Sequence, residues 1–146
     1  MINLYTNNPT AAGKDGSLIS QEMTQTSPLS MTVKAGESKA CKVGIRCDTG
    51  YKTTGKTTLS FAYWDGTEYK ETGGNIGKWY FAPDDNYTSE EIALANASWV
   101  QNSIDITDVI GDTNKIIWVK VATTASDIPV TDNTVSICVK ATIEAA

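Results

Sequence analysis

Residues 50–57 read Gly-Tyr-Lys-Thr-Thr-Gly-Lys-Thr, which satisfies the phosphate-binding pattern G-x-x-x-x-G-K-[ST] at every position. The chemistry of that pattern depends on a loop feeding a helix whose first amides point at the phosphates. Residues 58–64 instead read Thr-Leu-Ser-Phe-Ala-Tyr-Trp, β-branched and aromatic with a period of two, so a strand follows where a helix is required. An apolar run ending in a magnesium-binding Asp is also missing. Residues 49–56 therefore read as a solvated loop between two strands, with Gly50 and Gly55 supplying turn conformations, and nucleotide binding is not expected.

The remaining reactive residue types point the same way. The chain has no His, which removes Ser-His-Asp and Cys-His catalysis and the commonest zinc ligand sets. Its three Cys are Cys41, Cys47 and Cys138. The first two stand on one predicted strand, about 20 Å apart at ~3.3 Å per residue, beyond disulfide reach. Cys138 falls on the polar parity of its strand, so reduced thiols are expected. Glu90-Glu91, Asp84-Asp85, Asp105 and Asp108 offer carboxylates for glycoside hydrolysis, and Asp84-Asp85-Asn86 with Asp105 and Asp108 offer oxygen ligands for calcium, but without a spaced loop motif solvated acids are the plainer reading. The chain is not expected to be an enzyme or to carry a cofactor or metal.

Composition narrows the partners. At 146 residues the chain suits one domain, burying roughly 68–70% of its unfolded surface. Its 12 basic residues are scattered singly against 17 acidic ones, for a net charge of −5, which argues against nucleic acid and anionic membrane as partners. No apolar run has the length of a membrane span, and the opening Met1-Ile2-Asn3-Leu4-Tyr5 lacks a charged n-region, so synthesis in a cytoplasm without export is expected.

The elements that position these residues are strands. Residues 134–143 alternate apolar and polar, and the same beat recurs in residues 41–47 and 59–64. Further strands are predicted at 29–34, 78–81, 98–107 and 115–122, the last so apolar that both its faces should be covered. Asp65-Gly66 suits a two-residue type I′ hairpin turn. Thr88 with Glu91 could open one helical turn. About eight short strands separated by turn signals suit an all-β, two-sheet antiparallel sandwich. Residues 29–146 form that domain, preceded by residues 1–28, a turn-rich extended N-terminal arm.

Two groups of residues are candidate contact points. In the arm, Ile2, Leu4 and Tyr5 suit a segment that orders only against a partner. In the middle of the chain Trp64, Tyr69 and Tyr80 could remain at the surface for protein contact or sugar stacking.

Residues 4–16, 43–55, 113–121 and 133–136 together resemble small structural proteins encoded by tailed phages and prophages of Gram-positive bacteria. The resemblance implies an immunoglobulin-like module displayed on a virion, first of all as a capsid decoration protein or head fibre, with a tail or baseplate component as the alternative. It implies other virion proteins as partners, the major capsid protein or tail and baseplate proteins, with a homo-oligomer to be tested. The location implied is the virion, after assembly in the host cytoplasm. A carbohydrate-binding sandwich recognising host surface glycans through the exposed aromatics is the reading of a different class.

Overall fold

The computed structural model describes residues 1–83, 87–127 and 133–146. Strand accounts for 47% of the described residues and helix for 9%, in two antiparallel sheets packed face to face, so the all-β sandwich is the fold. The elements run β1 (Ile2–Thr6), β2 (Ser17–Gln21), β3 (Ser38–Cys47), β4 (Tyr51–Trp64), β5 (Tyr69–Lys70), β6 (Trp79–Ala82), α1 (Glu90–Asn96), β7 (Ser103–Ile106), β8 (Lys115–Ala122) and β9 (Val135–Ala145). One sheet has the order β2-β1-β3-β8-β6. In the other, β4 is central. Leu59 pairs with both Val139 and Ile104, and Tyr63 with both Val135 and Lys70, so β9 follows one edge of β4 while β7 and β5 succeed each other along the opposite edge.

The period-two residues of both sheets meet between them. Val43, Ile45, Ile117, Val119 and Phe81 from one sheet face Leu59, Phe61, Ile137 and Val139 from the other, all essentially inaccessible to water. Phe61 and Phe81 stack across the gap with ring centroids 3.9 Å apart. The apolar β8 is covered on both faces as its sequence requires, because α1 lies over its outer side and closes Trp118 in with Ala40, Ala82 and Ala93. Ser89, one residue after the expected cap, accepts the Ile92 amide at the helix start, and Glu90 accepts the amide of Ala40 on β3.

Three expectations need correction. The segment read as an arm is part of the sheet: β1 lies between β2 and β3, and Ile2 and Leu4 are fully buried in the main core. A five-residue strand carries too few alternations to be distinguished from a loop in sequence, yet it covers the otherwise open edge of β3. Residues 29–34 do alternate in burial, with Leu29 buried and Met31 and Val33 half-buried against the core, but form no ladder; only the Leu29 amide reaches β9, at the Val135 carbonyl. Residues 51–56, read as loop, belong to β4.

Candidate functional site

The β4–β5 hairpin builds an exposed aromatic pair. Trp64 and Tyr69 are directly opposite each other in its ladder, their rings meeting edge to face at 5.2 Å, and they remain 43% and 38% exposed. The connecting turn has four residues, 65–68, and not the expected two. Its geometry follows from Asp65, whose carboxylate accepts the amides of Thr67 and Glu68 at 2.8 Å each, while its own amide donates to the Glu68 carbonyl. Those side-chain bonds satisfy a wider loop than a type I′ turn would need. The Glu68 amide, the Lys70 ammonium at 2.9 Å and the Thr67 amide hold the Asp65 carboxyl down to about 2. The aromatic pair therefore stands on a braced turn.

Tyr80 is not part of that surface. It lies on the outer face of the five-stranded sheet, half-buried, with the Lys120 ammonium 4.5 Å from its ring centroid and 4.9 Å from that of Trp99. Burial against these rings lowers the pKa of Lys120. Trp99 packs against the smaller cluster under α1. Among the described residues the indole N–H groups of Trp99 and Trp118 have no hydrogen-bond acceptor.

Tyr5 belongs to a third place, a polar knot that fastens residues 7–16 onto the sheet. The Arg46 guanidinium covers the Tyr5 ring at 3.5 Å and donates to the Asp15 carbonyl at 2.8 Å and to Asn114 Oδ1 at 2.7 Å. Asn114, only 5% exposed, donates from Nδ2 to the carbonyls of Thr10 and Asp15 and to Asp15 Oδ1. Its backbone accepts from the Ala12 amide and donates to the Gly13 carbonyl. The Thr10 amide and hydroxyl bond the Asp15 carboxylate, which lowers its pKa. The close approach leaves no room for a side chain on β3: a Cβ at Gly44 would stand 2.9 Å from Asn114 Oδ1 and 3.1 Å from the Pro9 Cβ. Arg46, Asn114 and Asp15 carry no local sequence signal, because the partners of each lie 31 to 104 positions away along the chain or at a sharp turn.

The phosphate-loop match resolves into a bulged strand. Between Thr54 and Thr58, β4 carries three residues where β9 has one, Ala141, and Gly55 at φ 72° accommodates the excess. Thr57, whose hydroxyl would hold magnesium in a phosphate loop, is fully buried, and the Lys56 ammonium is 3.2 Å from Asp105. Asp105 also accepts the Thr58 hydroxyl at 2.6 Å, and Asp108 pairs with Lys115 at 3.1 Å. The other candidate calcium ligands, Asp84, Asp85 and Asn86, lie outside the described residues. Among the described residues no three His, Cys, Asp or Glu side chains are grouped to hold a metal. All three thiols are free; that of Cys41 is pushed up to about 11 by burial and by Glu90. No described helix is long and apolar enough to cross a membrane.

Comparison of the chain with protein-family models, curated proteins and solved structures finds no match.

Proposed function

We propose that this chain is a structural protein of a bacteriophage particle, displayed as a capsid decoration module that makes its contacts through surface side chains of a rigid β-sandwich. The observation that carries the contact reading is the Trp64–Tyr69 pair, two large rings left half in water on a turn braced by Asp65. Aromatic side chains held in place by their support contribute binding energy at little entropic cost, which is why they dominate protein interfaces. The particle reading rests on the likeness of residues 4–16, 43–55, 113–121 and 133–136 to phage structural proteins. In the fold the first three of these segments meet in the knot around Asn114, so the likeness falls on residues that pack together.

The same pair favours one reading of a different class, a carbohydrate-binding module, since exposed indole and phenol rings also stack on sugars. Immunogold labelling of particles induced from the bacterium that encodes the chain separates the readings. Label on heads supports the decoration protein, and label on tails or baseplates moves the assignment to the tail. Unlabelled particles, together with retention of the protein on purified host cell-wall glycan that Trp64→Ala abolishes, would replace the virion reading with the carbohydrate one.

A further inference from the structure

Among the described residues strand β9 forms a ladder along one edge only, with a single bridge from Val139 to Glu22 on the other, and the direction of its backbone groups can be followed residue by residue. On the β4 side, the Thr134 carbonyl accepts from Trp64 and the Ala146 amide donates to Gly50. On the other side, the carbonyls of Val135 and Val139 accept from the amides of Leu29 and Met23. Even-numbered residues thus address β4 and odd-numbered ones face away, with no slip between the two ends of the strand. The amides and carbonyls of Ala141, Ile143 and Ala145 therefore form an edge that no backbone group among the described residues occupies.

We propose that this edge pairs with the same edge of a second copy of the chain, antiparallel, about a two-fold axis through Thr142. In that register Ala141 of each copy lies opposite Ile143 of the other, and the two pairs exchange four backbone hydrogen bonds. Their half-buried side chains extend the apolar inner face across the axis. Charge selects this occupant. Exposed edge strands ordinarily carry charges that turn other strands away. Here Lys140 and Glu144 are opposite in sign and equidistant from Thr142, so on the exposed face each Lys140 meets Glu144 of the other copy. Within one copy both are held loosely, Lys140 by Glu71 and Glu144 by Lys52, each at 3.6 Å, which leaves them able to turn outward. The seam ends where Val139 has already given its carbonyl to Met23, so the dimer is weak and depends on concentration.

The seam does not depend on the assignment to a phage particle, and sedimentation of the full chain over a concentration series tests it. The expected result is a reversible monomer–dimer equilibrium. Lys140→Glu or Glu144→Lys, each turning two attractions into two repulsions, should weaken it about tenfold. The double reversal should restore the dimer, although it restores neither contact with Glu71 nor with Lys52. Ala141→Pro, which deletes an outward-facing amide and no bond to β4, should give a monomer with an unchanged β spectrum. A chain that is monomeric at every soluble concentration, a dimer indifferent to Ala141→Pro, or a double reversal no tighter than the single ones would overturn the proposal.

Discussion

Residues 7–16 and residues 65–68 are both built from turn formers, and each is organised by one aspartate that accepts backbone N–H groups, that of Thr10 for Asp15 and those of Thr67 and Glu68 for Asp65. Asp65 satisfies its own turn within three residues and leaves Trp64 and Tyr69 in water. Asp15 does the same for Thr10 but is then captured from outside, by Asn114. That second layer of partners turns a surface loop into a clasp that keeps β1 on the sheet. Asn7, Asn8 and Ala12 are held at φ values of 68°, 55° and 61°, and for Ala12 that conformation has a cost which the bond from its amide to the Asn114 carbonyl offsets. Local turn chemistry fixes the shape of a loop; distant partners decide whether the loop is a contact surface or part of the core's support.

The sharpest way to break this comparison is to remove what each loop supports. Leu4→Ala, beneath the clasped loop, should cost about 2–5 kcal/mol by leaving a cavity in the main core. Against a total of roughly 5–15 kcal/mol, that is enough to lower the melting temperature severely. Deleting residues 1–16 should go further and leave little soluble protein, because β3 loses its neighbour and Val43 and Ile45 lose Ile2 and Leu4. Trp64→Ala should cost about 1 kcal/mol or less, since the edge-to-face contact with Tyr69 is worth ~0.5–1.5 kcal/mol and its rings are already wet. Thermal melts of the three variants check the order; equal losses would show that the first sixteen residues are no more integral than the hairpin.

A smaller effect is expected from untying the clasp while leaving β1 in place. Asn114→Ala removes three donor bonds and strands the Arg46 guanidinium beside a vacated acceptor, at a cost of about 1–3 kcal/mol. Amide hydrogen exchange should show residues 10–15 losing protection while the Asp65 turn keeps its own. If both loops respond together, the two are coupled through the sandwich and the contrast drawn between them fails.

What could be read from the sequence, and what could not, follows the same division. The register of β9 is visible because residues 134–143 alternate, so Val139 is buried and Lys140 exposed as the pattern requires, whereas β8 is announced by its apolar run and not by any alternation. Trp64 and Tyr69, which the sequence leaves as candidates for the surface, are exposed. Ile2 and Leu4 were misread as partner-binding residues because only two apolar positions mark their strand, and nothing nearby reveals that β3 waits for it. Tyr5, expected with Ile2 and Leu4 to order only against a partner, and Tyr80, expected at the surface, are both half-buried, each covered by a cation from another strand, Arg46 and Lys120. Such pairings depend on topology and have no trace in local composition.

The finest test of the comparison is acid. Asp15 and Asp65 both have folded-state pKa values below the ordinary 3.8, Asp65 at about 2. A carboxyl whose pKa is depressed by folding contributes stability that is fully present well above its unfolded value and is lost as the pH falls through its folded one. Nothing should change in either loop near neutrality. As the pH falls from 3.8 toward about 2, the protonated carboxyl of Asp65 ceases to accept strongly from Thr67, Glu68 and Lys70, and the hairpin tip should loosen on its own. Protonating Asp15 should instead reach β1, because the group that loses its acceptor is Asn114. Amide chemical shifts followed through an acid titration distinguish the two: for Asp65 the changes should stay within residues 64–70, and for Asp15 they should spread to Gly44, Arg46 and Asn114. Changes confined to residues 10–15 would mean that the clasp holds without its aspartate.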